Sequence, residues 1–256
     1  MKQSQLYNLK FYSKQAIGSY RSACEIVKLV KEAINPRSVV DVGCGIGTWL
    51  KVWSECGMED IFGIDGDYIR SDQLLIPPDR FMSMNLSAPT ALAKKFDFVQ
   101  SLEVAEHLPE ASAEGFVSFL CSLGSIVLFG AAIPYQGGTS HINEQWPEYW
   151  AELFGRKGYV AIDALRERVW NNPSVEWWYC QNTVIFVQAE HLKTLEGLRE
   201  CPVVPPQGSL SKVHPRLWLA RNERDNHLET VLLMLPKSIR EFHMRAFRWL
   251  RRTAAK

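Results

Sequence analysis

Residues 38–50 read Ser38-Val-Val-Asp-Val-Gly-Cys-Gly-Ile-Gly-Thr-Trp-Leu50, and this stretch decides the fold. Val39, Val40 and Val42 are β-branched and suit a parallel strand covered on both faces. Gly43, Gly45 and Gly47 let the chain turn sharply, and a helix starting after Gly45 presents unpaired N–H groups to whatever occupies the turn. Cys44 stands inside that turn, where its backbone matters more than its sulfur. The spacing is Gly-x-Gly-x-Gly, with Thr48 where the dinucleotide fingerprint places its last glycine, which disfavours a nicotinamide dehydrogenase. Asp41, just ahead of the turn, would repel a pyrophosphate and suits a ligand carrying positive charge.

Outward from this turn the chain alternates strands and helices. Upstream, Ile17, Ala23, Ile26, Val27, Val30 and Ile34 recur at helical spacing until Asn35-Pro36 stops the run. Downstream, a helix over 48–56 leads to a second strand, Ile61-Phe-Gly-Ile-Asp65. Its terminal carboxylate is placed to accept hydrogen bonds from both hydroxyls of a ribose, although Asp65 would also serve as a helix N-cap before Tyr68. Further strands are predicted over 81–84, 96–101 and 125–130, with a helix over 113–123 ended by Gly124. Five strands alternating with helices argue for a doubly wound α/β sheet. A helix over 147–157 and strands over 159–165 and 183–188 follow, with Trp170, Trp177, Trp178 and Tyr179 between those two strands.

Three segments in order, Val39 to Leu50, Gly63-Ile64-Asp65 and Phe96 to Leu108, resemble the first, second and fourth motifs of the class I S-adenosylmethionine-dependent methyltransferases. The resemblance covers roughly the first half of the chain. It implies a Rossmann-like, doubly wound, seven-stranded sheet with an antiparallel last strand, and S-adenosyl-L-methionine as cofactor. By the same resemblance the cofactor contacts are Asp41, Gly43, Cys44, Gly45, Asp65, Gly66, Asn85, Leu86, Ser101, Leu102 and Glu103. Similar enzymes often carry an acid at the position of Asn85. The Asn85 oxygen could accept from the adenine amino group, or its NH2 could face a ring acceptor. In similar enzymes a segment such as Phe11-Tyr12-Ser13 folds over the cofactor; aromatics capping the core edge would leave the same pattern.

A sulfonium methyl is electrophilic without help, so the protein must align the acceptor and manage its proton. Histidines follow two strand ends: His107 after the fourth and His141 after the fifth. Both are candidate catalytic residues, with His141 first. The segment 131–150 is a polar and aromatic loop facing the crevice, and Tyr135, Asn143, Glu144 and Trp146, with Trp178 further on, are its candidate acceptor contacts. Aromatic faces stack on sugar rings while amides and carboxylates bind their hydroxyls, so a hydroxyl of a sugar, glycan or other small molecule is the expected acceptor. Carboxylate methylation, N-methylation of a secondary metabolite, and a non-catalytic cofactor-binding assembly module are the alternatives. No Asn-Pro-Pro-Tyr motif or basic stripe marks a nucleic-acid partner, and no acidic cluster at ligand spacing marks a metal site.

The 256 residues, 46% hydrophobic, suffice for one α/β domain with additions. The composition shifts at Ala189, and the proline-rich stretch Cys201 to Gly208 reads as a connection. The expected division is a methyltransferase domain over 1–190 and a linker with a helical, basic C-terminal extension over 191–256. Between Lys237 and Lys256 seven residues are basic and one, Glu241, is acidic. A peripheral membrane contact through 237–256 and a solvated helix packed on the domain are both open. The six scattered cysteines form no zinc spacing, and neither a membrane span nor an apolar leader is evident, so a cytoplasmic location is expected.

Overall fold

The computed structural model describes residues 9–205 and 210–222, with side chains from residue 17 onward. Helix α1 (Leu9–Ala33) leads into β1 (Ser38–Val42), α2 (Thr48–Glu55), β2 (Asp60–Asp65), β3 (Phe81–Ser83) and β4 (Phe98–Leu102). Then come α3 (Ala113–Leu123), β5 (Ile126–Gly130), α4 (Pro147–Gly155), β6 (Tyr159–Ile162), α5 (Arg166–Val169), α6 (Trp177–Asn182) and β7 (Val184–Gln188). A short helix α7 (Ala189–Leu192) and strand β8 (Val203–Val204) close the sheet. The order is β3-β2-β1-β4-β5-β7-β6-β8, the doubly wound pattern with its switch point between β1 and β4.

The strands β1 to β5 pair in parallel, while β7 runs antiparallel between β5 and β6. Strand alternation sorts the side chains of β1 between two apolar layers. Val39 joins the layer built with Ile26, Val30, Trp53 and Phe98. Val40 and Val42 join the opposite layer with Phe116, Leu120, Trp150 and Phe154. Helices α1 and α2 thus cover one face and α3 and α4 the other, which is why the β1 valines need no polar face.

The expected seven strands are present, and β8 adds an eighth, antiparallel to β6. Its two residues lie in the stretch whose composition suggested a linker, and the first compact unit continues through Lys212, past the expected boundary near 190. The second unit begins at Val213, and its described part is a helix from residue 215 onward. The Phe11-Tyr12-Ser13 side chains, residues 206–209 of the proline-rich stretch, and the basic segment 237–256 lie outside the described residues.

The antiparallel course of β7 has a consequence for the crevice. Val184, its first residue, pairs with Phe129 near the carboxyl end of β5, so α6 is delivered to the edge where the parallel strands end. The polypeptide there is pinned by Arg166, whose side chain is fully buried. Its guanidinium donates to both Asp163 oxygens at 2.9 and 2.7 Å, to the Gln181 carbonyl at 3.2 Å and to the Leu210 carbonyl at 2.6 Å. Lys212 adds a second cation to Asp163 at 2.8 Å. Together these charges hold the Asp163 carboxyl below its usual range, although burial alone would push it up.

Asp163→Ala leaves the buried guanidinium without its anion and should lower the unfolding free energy in urea by about 3 kcal/mol. Adding Arg166→Met should restore part of that loss. An Asp163→Ala protein with the wild-type urea midpoint would contradict this role for the pair.

Candidate active site

A crevice of about 620 Å³ opens at the carboxyl ends of β1, β2 and β4. At its centre the chain leaves β1 through Gly43, Gly45 and Gly47, all at positive φ. Gly43, at φ 84°, is the constrained one: a Cβ there would stand 2.2 Å from a Val104 methyl. Gly43 thus needs its missing side chain twice over, for its backbone angle and for the approach of Val104. Gly47 occupies the N-cap of α2 in the left-handed conformation without a side-chain cap, so the first N–H groups of α2 have no side-chain partner there.

Asp65 ends β2 almost fully buried, yet it lines the crevice. One oxygen accepts from the Gly45 N–H at 2.6 Å, and the other from the Gly66 N–H at 2.6 Å and from the Tyr68 hydroxyl. The carboxylate therefore locks the glycine turn to the end of β2 and keeps a lone-pair direction for a ligand hydroxyl. Burial pushes its carboxyl up, and those three donors oppose the shift. Asp41, also lining the crevice, is pushed up to about 8 by burial; the Gln100 side chain opposes this and the Asp65 charge adds to it.

Gly43, Cys44, Gly66, Asn85, Leu86, Leu102 and Glu103 line the same space, as the sequence suggests. Gly45 contributes through its N–H on Asp65 rather than as a wall. Ser101 is fully buried within β4, away from the lining, with its hydroxyl unpartnered. The Asn85 oxygen accepts from the Ser87 N–H at 3.0 Å in a local turn, which leaves its NH2 available to a ring acceptor. Trp49, Tyr68, Val104 and Tyr179 also line the crevice; Trp49 and Val104 stand within the quoted motif segments without being read as contacts, and Tyr68 and Tyr179 carry no motif signal.

Beyond β4 the geometry changes character. Glu103 takes φ 58°, a left-handed angle costly for a side chain-bearing residue, and two amides hold it. Gln136 donates to one carboxylate oxygen at 3.0 Å and Asn182 to the other at 2.8 Å. The Gln136 oxygen in turn accepts from Asn182 and Gln181, both at 3.0 Å. Burial lifts the Glu103 carboxyl to about 7 against those two amide bonds. The following 3-10 turn, Ala105–His107, carries Glu106, which is wholly inaccessible and whose carboxylate oxygens make no full hydrogen bond. Burial pushes Glu106 well above its usual range and the Glu103 charge adds to that, while the nearby Glu106 and Ala132 N–H groups oppose it.

His107 and His141 meet edge to face, 4.8 Å between ring centroids. His107 lines the crevice, and burial depresses its imidazole to about 4, with His141 contributing in the same direction. Its Nδ1 donates to the Ser140 carbonyl at 3.3 Å. His141 lies behind it, with Nδ1 on the Glu144 carboxylate at 2.9 Å; Glu144 also accepts from the Gly137 N–H at 2.6 Å. The loop is fastened to the strand-four turn because the Ile142 and Asn143 N–H groups donate to the Glu106 carbonyl at 2.9 and 3.0 Å. Tyr135 is 83% exposed on the loop, Trp146 is partly exposed at the start of α4, and Asn143 is buried and accepts from Gln145. Trp178 instead packs against the apolar layer beneath α1 and lies outside the crevice lining. Although the spacing of acids shows no ligand cluster here, the fold gathers Glu106, His107 and His141 with ligand atoms within 4.8 Å of one another.

With the geometry in place, a family model described as a methyltransferase domain matches residues 14–123. No curated protein matches the chain. Among solved structures, the plantazolicin methyltransferase BpumL in complex with SAH superposes with a TM-score of 0.50 at 13% identity, covering 73% of this chain and 93% of that one. The methyltransferase domain of bacterial CtHen1 gives a TM-score of 0.48 at 20% identity over 65% of this chain and 97% of that one. Magnesium protoporphyrin IX methyltransferase from Synechocystis PCC 6803 with bound SAM gives 0.46 at 20% identity, over 72% and 86%.

Because the Asp41 carboxyl is raised from 3.8 to about 8, the folded chain holds a proton that the unfolded chain has released between those values. Its contribution to stability is therefore complete below about pH 4 and is lost as pH rises through 8. Urea midpoints of the ligand-free protein should fall from pH 6 to pH 8.5, and less steeply in Asp41→Asn. Equal slopes in the two proteins would refute the assignment.

Proposed function

We propose that this chain, whose fold is that of the class I S-adenosylmethionine-dependent methyltransferases, moves the methyl group of S-adenosylmethionine onto a hydroxyl of a sugar, glycan or other small molecule. Methyl transfer is the family's chemistry, and S-adenosylmethionine is the cofactor of this crevice. The hydroxyl acceptor rests on one observation: His107 faces the crevice with His141 and Glu144 ranged behind it.

Asp65 would receive the ribose hydroxyls, and Asp41 would sit toward the cationic part of the ligand. A positive ligand favours the charged form of Asp41, so binding near neutral pH should release a proton and strengthen as pH rises toward 8. The methyl group moves by in-line displacement: the acceptor oxygen forms the new bond to carbon, the S–CH3 bond breaks, and the sulfonium leaves as a neutral thioether. The acceptor's proton must then depart, and an imidazole is the residue type suited to take it. His107, which lines the crevice, is the imidazole in reach of that proton, and His141, oriented by Glu144 on Nδ1 and packed edge to face against it, positions it. Burial holds His107 neutral.

The acceptor would rest against the loop that follows β5. Gln136 turns inward to Glu103, while its neighbour Tyr135 is exposed, so an aromatic face is displayed beside the inner wall.

Calorimetric titration with S-adenosylhomocysteine should show binding to the wild type and a loss of at least tenfold for Asp65→Ala, because two backbone N–H groups lose their anchor along with the ribose contact. Methyl transfer from labelled S-adenosylmethionine to a panel of sugar acceptors should fall about 10²- to 10⁴-fold in His107→Ala with cofactor affinity intact. An unchanged rate in His107→Ala would move the reading to a carboxylate or amine acceptor, which needs less proton removal. Cofactor binding without turnover on any acceptor would leave a non-catalytic module.

A further inference from the structure

We propose that Glu106, His107 and His141 form a binding site for a divalent first-row transition metal ion. Two features beyond proximity argue for it. Glu106 is completely inaccessible, and its carboxylate oxygens make no full hydrogen bond; only the backbone N–H groups of Glu106 and Ala132 stand near enough to favour the charge. An isolated carboxylate in such a place is costly unless a cation or proton compensates it, and a bound cation satisfies both oxygens at once.

The second feature is the way each imidazole is held. His107 uses Nδ1 on the Ser140 carbonyl, and His141 uses Nδ1 on the Glu144 carboxylate. Both rings therefore have their N–H committed to an oxygen and their Nε2 lone pair uncommitted. That is the arrangement in which a metal-bound histidine is oriented by its outer neighbour. The Ser140 residue that receives His107 is itself at φ 62°, so the loop adopts a costly backbone angle at the residue before His141. The bonds from Ile142 and Asn143 to the Glu106 carbonyl keep the ligands of the two segments in register.

The ligand atoms span no more than 4.8 Å, so small side-chain rotations would bring all three to about 2.1 Å from one centre. One carboxylate and two imidazoles are a borderline donor set that suits Mn²⁺, Co²⁺ or Zn²⁺ better than Ca²⁺, and three protein ligands leave coordination positions open. Since His107 lines the crevice, an acceptor hydroxyl could take one of those positions and lose its proton more readily there. The imidazoles would then serve as ligands in place of proton acceptors. The site itself does not depend on the acceptor being a sugar, and cofactor binding can be measured on the same samples.

The test is Co²⁺ binding to the chelator-treated full chain, followed by visible ligand-field absorption and by thermal unfolding. The wild type should take up one equivalent at micromolar Co²⁺ and unfold at a higher temperature with the ion than without it. Glu106→Gln, which keeps the volume and removes the charge, should unfold no earlier than the wild type without metal. It should lose the metal-induced stabilisation and bind at least tenfold more weakly, as should His141→Ala. No ligand-field band in a wild type that still binds S-adenosylhomocysteine would overturn the site and leave the methyltransferase reading standing. Undiminished Co²⁺ uptake by Glu106→Gln and His141→Ala would place the ion elsewhere and equally overturn it.

Discussion

The site depends on a single carboxylate held at a backbone angle that it would not choose. Glu103 leaves β4 at φ 58°, and the amides of Gln136 and Asn182 grip its two oxygens. A left-handed glutamate costs on the order of 1 kcal/mol, and a network of buried amides offsets it only if every member is satisfied. Here the Gln136 oxygen serves Asn182 and Gln181, and the Asn182 oxygen serves Gln181 at 2.9 Å. The members come from three places in the chain, joined by the β5 loop and by α6. Arg166 in turn pins the Gln181 carbonyl. The turn at Glu103 thus hands its constraint in both directions. Val104, the next residue, closes on Gly43 and fixes the cofactor side, and the 3-10 turn beyond it sets Glu106 and His107 on the acceptor side.

That architecture accounts for which parts could be read from the residues. Asp65 was legible because an acid at a strand end after a glycine turn is a local signature, and the structure puts it under the turn with its N–H partners. The helix over 113–123 was legible to the residue, since Gly124 marks its end and its apolar face is regular. The two short helices α5 and α6 and the two-residue strand β8 carry no periodicity long enough to register, and tertiary pairing alone makes them. Glu106 stands in the same segment as Glu103 and His107, but its burial comes from the β5 loop folding over it, a long-range contact invisible in spacing. The only local hint was a glutamate set among Val104, Ala105 and Leu108. Trp178 differs: an aromatic next to others resembles a binding face, and here it packs on the apolar layer outside the crevice lining.

The topology explains why amides from α6 reach the crevice at all. In a wholly parallel sheet the segment preceding a strand would lie at the amino ends, remote from a ligand site. Inserting β7 antiparallel reverses this, so the residues just before it, Gln181 and Asn182, arrive beside Gly130 at the carboxyl end of β5. The wall opposite the glycine turn is therefore built from residues whose position in the chain gives no sign of it.

The charge distribution closes the argument about ligand class. Asp41, Asp65 and Glu103 line the crevice and Glu106 is buried close beyond it, and desolvation raises each of these carboxyls. A polyphosphate would meet repulsion from each one that is ionised, and a ligand without positive charge would leave the ionised form of Asp41 uncompensated. A ligand with a sulfonium and an ammonium relieves the two that flank the glycine turn. The pair beyond β4 lies outside the reach of that compensation, divided between an amide-satisfied Glu103 and an unsatisfied Glu106. Two neighbouring buried carboxyls do not both stay charged: one holds a proton, or positive charge stands beside them. The acceptor end of the crevice is consequently where a proton on Glu106, or a cation beside it, completes the structure.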